Sequence, residues 1–496
     1  MANPLPPANE FVASLAEEKL LSGLKIVVTA LDLEQAEHRG IAYFSKSVIA
    51  ALAQQGADIY LLTGLGARRL SRGKLASVSN YASMLITLAD IIDQLVCPDL
   101  PEKRKKGFRF SVNYFFNCAK KLISILPTVL AFPLAKKSSL LPIIDDVLSP
   151  YSYNERINYI GDISGIFSAK KCYAVFSLCS ALRRRVLRPS LVLGDVKIDL
   201  LVTCSPLSTG EIRGSNGKNI PILQIVHDMF TLEFAKHPDN PFRFYNRLVD
   251  ATRSDCLFVS EDTRNKVCRV TGRDPKDRHI ATLRQPPSLD ILCLNQAVGI
   301  PKFGEFSDRY ILFSSSIVAR KGLDLLIKAY LNSSLVNQGI DLVIAGKLHD
   351  DPYGQRITGL CKSAPQIKLL GYVNELEKSW LYLNATLLVS PSLSEGFGIP
   401  VLDAASMGLQ VLASDIPPHR EIAAIPSLKQ AIELVQGFEA SSWSTRLFEV
   451  CQRCIWGGDN ALPTSRMNRY LMLREEFFQQ FSRDLGSSVL RSIGQL

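Results

Sequence analysis

Two carboxylates, Glu395 and Asp403, stand on either side of Gly396-Phe397-Gly398 in the stretch SEGFGIPVLDAASMG, residues 394–408. Two cations, Arg320 and Lys321, precede a glycine in ARKG, residues 319–322. Carboxylates accept hydrogen bonds from hydroxyl groups, whereas ammonium and guanidinium groups neutralise phosphate. The glycines allow a sharp turn and a close backbone approach to a ligand, with no Cβ in the way. Pro400 suits the first turn of a helix, where its missing N–H costs nothing. The free N–H groups and positive dipole end at such a helix start favour a phosphate. Phosphate would repel Glu395 and Asp403, so the acids point to sugar hydroxyls beside it. Arg320 and Lys321 offer the charge that a departing diphosphate needs as negative charge builds on its oxygens. A plainer reading stands beside each: Asp403 as an early-turn acid favoured by the dipole, Glu395 as a solvated loop residue, Arg320-Lys321 as a surface basic pair.

Such chemistry needs a scaffold that brings two loops to one place. RYILFSSS (309–316), DLVIAGK (341–347), IKLLGYV (367–373), TLLVSPS (386–392) and QVLASD (410–415) read as buried strands, short apolar runs bounded by polar or turn residues. LDLLIKAYLNS and NELEKSWLYLNA repeat apolar residues at helical spacing between them. This alternation predicts a doubly wound α/β domain whose ligands sit outside the carboxyl ends of its strands. ARKG and SEGFG both follow strands, so both should open on that side. In the amino half, LKIVVTAL (24–31), IAYFSKSVIAALAQQ (41–55) and ADIYLLT (57–63) predict a parallel βαβ unit. IDLLVTCS (198–205), IPILQIVHD (220–228) and SDCLFVS (254–260) read as further strands, and EDTRNKVCRVTG (261–272) as a helix ending at glycine. The proline-rich RQPPSLD (284–290) reads as a hinge. The expectation is therefore two domains, 1–290 and 291–475, facing a central cleft, with a helical tail at 476–496.

VSPSLSEGFGIPVLDAASMGLQVLASDI resembles the signature of the retaining glycosyltransferases of family 4, which pairs two Glu around a GFG-type turn. ILFSSSIVARKGLDLLIKAY, LVIAGK and LLGYVNELEKSWLYLNATLLVSPS are similar to the rest of that family's donor domain, in order, over roughly residues 305–425. HRGIAYFSKSVIAALAQQGADIYLLT, ILQIVHDMF and LFVSEDTR match the amino half more loosely. The resemblance implies the GT-B fold, two Rossmann-like doubly wound domains. It implies a retaining transfer from a nucleotide-sugar to a saccharide or lipid-linked saccharide, in polysaccharide or glycolipid synthesis. By the same resemblance Lys321 and Arg320 hold the donor diphosphate, and Glu395 contacts the donor sugar. The Gly396-Phe397-Gly398 backbone lies close to both, and the second acid takes the ribose. Here that acid is Asp403 where the family has Glu, one methylene shorter. Ser315-Ser316 stand where the family often has Gly-Arg. His227, after a strand of the amino half, would face the donor sugar; its plainer reading is a strand-end histidine satisfied by backbone. Gly40 could let backbone approach the diphosphate, or be an ordinary loop glycine.

Composition bounds the rest. With 496 residues, 47% apolar and 21% charged, the chain is folded and long enough for two domains. The net charge of +10 favours anionic partners without choosing among them. Residues 65–195 lose the regular alternation and read as a large insertion in the first domain. It holds the basic clusters 103–106 and 183–185 and the apolar run LISILPTVLAFPLA (122–135), flanked by Lys120, Lys121, Lys136 and Lys137. That run is too short to span a bilayer comfortably. It is either a core element or a peripheral contact with an anionic membrane surface. No signal peptide is read at the amino terminus, and eleven scattered cysteines fit a reducing cytoplasm. Cys451 and Cys454 form a lone CxxC, read as buried helix thiols rather than a metal site. No P-loop, HExxH, GxSxG or DxD pattern occurs, so no metal or other cofactor is expected beyond the nucleotide-sugar co-substrate. The basic clusters lack aromatic interleaving, which disfavours nucleic acid. Two alternatives stay open: another nucleotide-sugar enzyme such as an epimerase, and a non-catalytic protein binding a sugar nucleotide or a membrane surface.

Overall fold

The computed structural model describes residues 19–35, 40–68, 77–98, 135–151, 154–181, 190–235, 237, 239–456 and 462–495. The clusters 103–106 and 183–185, the apolar run up to residue 134 with Lys120 and Lys121, and the amino-terminal 18 residues lie outside them. The chain forms two compact units. The first comprises residues up to Ile225, Phe242–Cys256 and the residues from Ser482 on; the second comprises Val226–Pro241 and Leu257–Phe481.

In the first unit the strand Lys25–Thr29 lies parallel between Asp58–Thr63 and Leu200–Thr203. Strands covered on both faces must be apolar throughout, and Ile26, Val27 and Val28 are fully buried. The helix Gly40–Gln54 connects the first pair and buries Phe44, Val48, Ile49 and Leu52 at helical spacing. Part of the irregular stretch 65–195 is built into this sheet. Gly165–Ser168 runs parallel beside Asp58–Thr63, and Ser139–Pro142 closes the edge antiparallel. Its helix Asn80–Val96 is capped by the Ser79 side chain, which accepts from the Ala82 N–H.

The second unit holds six parallel strands: Tyr310–Ser314, Asp341–Ala345, Ile367–Gly371, Leu387–Ser390, Val411–Ser414 and Ile432–Val435. Counted along the chain, their order across the sheet is third, second, first, fourth, fifth, sixth. The direction of winding reverses between the first and fourth, where Leu312 pairs with Leu388. In such sheets this reversal opens a crevice at the strands' carboxyl ends. The loops that leave those two strands are 315–322 and 391–398, and they carry Arg320, Lys321 and Glu395. Behind the sheet, Phe313, Leu342, Leu412 and the helix Ala440–Trp456 form one core around the fully buried Trp443. Cys451 and Cys454 are reduced and buried in that core, as ordinary helix residues. The segment 284–290 lies within this unit and leads into the helix Ile291–Ala297, capped by Asp290.

Candidate functional site

The loop after Tyr310–Ser314 forms a single tight turn, Ala319–Lys321, that ends at Gly322 with φ 65°. A Cβ on Gly322 would lie 2.2 Å from the Pro391 carbonyl oxygen, so only glycine lets the loop after Leu387–Ser390 pass so near. The Leu393 N–H donates to the Arg320 carbonyl at 2.7 Å and sews the two loops together. This backbone register brings Lys321 and Glu395 into contact.

Lys321 Nζ lies 2.5 Å from Glu395 Oε1, and both side chains are nearly buried, at 9% and 7% exposure. Ser392 Oγ donates to the same oxygen at 2.7 Å. Arg320 Nη1 lies 3.5 Å from Glu395 Oε2 and also reaches the Ser394 carbonyl. The Arg320 guanidinium stacks over the Phe230 ring at 3.8 Å, which holds its plane in place. Burial alone would raise the Glu395 acid, but the charges of Lys321 and Arg320 outweigh it and bring it down to about 2. Asp228 lies beside this group. Burial pushes its acid up, while the Phe230 N–H and the Arg320 charge draw it back.

The glycine turn follows directly. A Cβ on Gly396 would lie 2.1 Å from the His227 carbonyl oxygen, so the turn is packed on the His227 backbone. The Gly396 carbonyl accepts from Ser260 Oγ at 2.6 Å and from Thr263 Oγ1 at 3.3 Å. Phe397 is buried beneath the turn. Gly398 has φ 113° and opens the helix Ile399–Ser406, with Pro400 in the first turn. Its leading N–H groups have no capping side chain. Such a start offers donors and a positive dipole end to an anion.

Asp403, one turn along that helix, is fully buried, and its carboxylate is engaged. Oδ1 accepts from the Ser288 N–H at 2.7 Å and from Tyr470 Oη at 3.0 Å; Oδ2 accepts from Ser288 Oγ at 2.8 Å. Tyr470 Oη in turn accepts from the Leu289 N–H at 2.7 Å. Burial raises the Asp403 acid, with the Lys378 charge and these hydrogen bonds opposing it. The structure thus gathers Arg320, Lys321, Glu395, Gly396, Phe397, Gly398 and the His227 backbone, and turns Asp403 toward the segment 284–290 instead. Gly40 opens the helix Gly40–Gln54 of the first unit, where a Cβ would meet nothing within 4 Å, so packing does not demand glycine there.

Sequence reasoning missed four members: Asp228, Phe230, Ser392 and His419. Ser392 sits inside the quoted PSLSEGFG and could have been found as a hydroxyl three residues before a buried acid. The other three had no local signal for this site, because Arg320, beside Phe230 and Asp228, and the glycine turn, which His419 faces, come from other parts of the chain. Among the described residues no group of three or more His, Cys, Asp or Glu is placed to hold a metal ion. No helix among them is long and apolar enough to cross a membrane.

Known proteins resemble this chain in part of its sequence and in its fold. Residues 301–425 match the family of glycosyl transferases group 1. The chain is 27% identical over 224 residues to the O-antigen chain mannosyltransferase B of Escherichia coli, covering 42% of this chain and 58% of that protein. It is 26% identical over 212 residues to a serotype-specific mannosyltransferase WbdA of Escherichia coli, covering 40% and 26%. The match therefore spans less than two thirds of either relative. Sucrose-phosphate synthase from Thermosynechococcus elongatus superimposes with a TM-score of 0.51 at 13% identity, covering 93% of this chain and 98% of that one. The fold is α/β of the GT-B class, with parallel sheets.

Proposed function

We propose that this chain is a glycosyltransferase that moves a sugar from a nucleotide-sugar to a saccharide or lipid-linked saccharide, with retention at the anomeric carbon. One observation carries the reading: a buried Lys321–Glu395 pair, flanked by Arg320 and the glycine turn, at the winding reversal of a parallel sheet. The match of residues 301–425 to glycosyl transferases group 1 supports it, and the names of the two Escherichia coli relatives make mannose the first sugar to test. In this reading Lys321, Arg320 and the helix start at Ile399 hold the diphosphate, and Glu395 meets a donor-sugar hydroxyl. His227 contributes from the other side of the glycine turn. Asp403 takes the ribose by trading its Ser288 contacts for ribose hydroxyls. Gly40 is assigned from the resemblance alone. The acceptor hydroxyl forms its bond to the anomeric carbon on the face from which the diphosphate departs, and the diphosphate oxygen takes the proton. No metal enters the scheme. We assign acceptor binding to residues 1–290 and donor binding to 291–475, with 476–496 as a tail, in a cytoplasmic protein. Its 65–195 segment would touch an anionic membrane surface.

Thermal unfolding with a panel of nucleotide-sugars, GDP-mannose first, tests the donor site. A true donor raises the melting temperature by mass action, and Lys321→Ala removes that protection. Protection of equal size in Lys321→Ala would refute the site, and absence of protection by every nucleotide-sugar would refute the reading.

A further inference from the structure

The His419 imidazole is fully buried. Its Nδ1 lies 2.8 Å from the Ser414 carbonyl oxygen. A carbonyl only accepts, so Nδ1 carries the hydrogen, and in the neutral ring Nε2 holds the lone pair. Nε2 is buried with no hydrogen-bond partner among the described residues. A buried polar atom without a partner is uncommon and calls for a cause. The same ring edge faces the glycine turn: a Cβ on Gly398 would lie 3.0 Å from Cδ2 and 3.4 Å from Nε2. Gly398 is where the helix Ile399–Ser406 presents its uncapped N–H groups.

The charged groups acting on the ring are Glu395 and Lys321. On its own helix, Arg420 pairs with Asp415, and the Glu421 carboxylate accepts from the N–H groups of Glu261 and Asp262. Around the glycine turn the two cations Lys321 and Arg320 face two acids, Glu395 and Asp228. Burial and Lys321 therefore keep the imidazole neutral, against the pull of Glu395. A diphosphate reverses that balance, because each phosphate brings a negative charge.

Resting on the donor reading above, we propose that His419 is a positioning residue that takes a proton from solvent onto Nε2 when the diphosphate of a nucleotide-sugar binds at the glycine turn. The ring then becomes a third cation beneath the turn and draws the diphosphate against the helix start.

Isothermal titration calorimetry of the full chain with GDP-mannose and with UDP-glucose, in buffers of different ionisation enthalpy near neutral pH, counts the protons. The diphosphate of either probe is esterified at both ends and does not titrate there. Expected is a net uptake approaching one proton per bound molecule, with affinity falling about tenfold per pH unit over the range in which that uptake holds. His419→Asn keeps an amide N–H for the Ser414 carbonyl but cannot be protonated; in it, and in His419→Gln, the uptake and the pH dependence disappear while binding persists. Binding without uptake in the wild-type chain, or uptake that survives in both variants, overturns the inference and leaves the donor reading standing. Failure of every nucleotide-sugar in the thermal-unfolding panel to bind the wild-type chain overturns the two together.

Discussion

Removing the charge from Glu395 should cost more than removing both charges of its pair. Glu395→Gln leaves the Lys321 ammonium almost buried with its nearest counter-charge gone. The size of the loss follows from the titration of the acid, which falls from 4.5 to about 2 on folding. Each unit corresponds to about 1.4 kcal/mol, so Lys321 and Arg320 together, net of burial, favour the ionised acid by roughly 3.5 kcal/mol, while burial draws the Lys321 ammonium the other way. Breaking a buried pair from one side costs about 3–5 kcal/mol in general, and the loss here lies at the lower end of that scale. For a unit of this size that is a fall in melting temperature of about 6–12 °C. Replacing both partners, Lys321→Met with Glu395→Gln, removes the desolvation penalty along with the attraction and should recover most of the loss. A double-mutant cycle by urea unfolding near pH 7 should give a coupling of about 2–3 kcal/mol. The sign with pH is set by a depressed acid: the stabilisation is complete above about pH 4.5 and is lost as pH falls toward about 2. A coupling below about 0.5 kcal/mol would mean that the two groups do not hold one another, and the site as described would fall with it.

Three further outcomes follow from the same geometry. Gly396→Ala places a Cβ 2.1 Å from the His227 carbonyl oxygen, against backbone that cannot easily yield, and should lower stability by about 3 kcal/mol with loss of nucleotide-sugar protection; an unchanged melting temperature would contradict the packing. Tyr470→Phe removes the hydroxyl shared by Asp403 and the Leu289 N–H and should cost about 1–3 kcal/mol in urea unfolding, whereas a neutral effect would show that the segment 284–290 is not held there. In the first unit, burial lifts the Asp32 acid to about 6 and the Glu34 acid to about 7. The folded chain therefore keeps protons that the unfolded chain releases between about pH 4 and pH 7, and these groups lower stability as pH rises through that window. Glu34→Gln should flatten the decline measured from pH 5 to pH 8; identical slopes in the two proteins would refute the assignment.

Local pattern determined a large part of this protein. Buried strands such as Tyr310–Ser314 and Leu387–Ser390 announce themselves as short apolar runs, because a strand covered on both faces has no position for a polar residue. Turns and helix starts are equally local: Gly322, Gly398 and Pro400 occupy positions whose backbone geometry few other residues accept. That made the loops bearing Arg320, Lys321 and Glu395 legible, and with them the type of chemistry. Tertiary structure decided which charges meet. Lys321 and Glu395 are 74 positions apart, Ser288 and Asp403 are 115, and Asp403 and Tyr470 are 67. No periodicity reaches over such distances, so the sequence could present Asp403 as an acid near a helix start but not the three donors that engage it. The same holds for His419, whose unpartnered Nε2 exists only because the strand Val411–Ser414 and the glycine turn fold around it. It holds also for Gly165–Ser168, a short strand inside an irregular stretch that pairing with Asp58–Thr63 draws into the sheet. Hydrophobic spacing is a property of neighbours along the chain, whereas charge neutralisation and hydrogen-bond satisfaction are properties of neighbours in space.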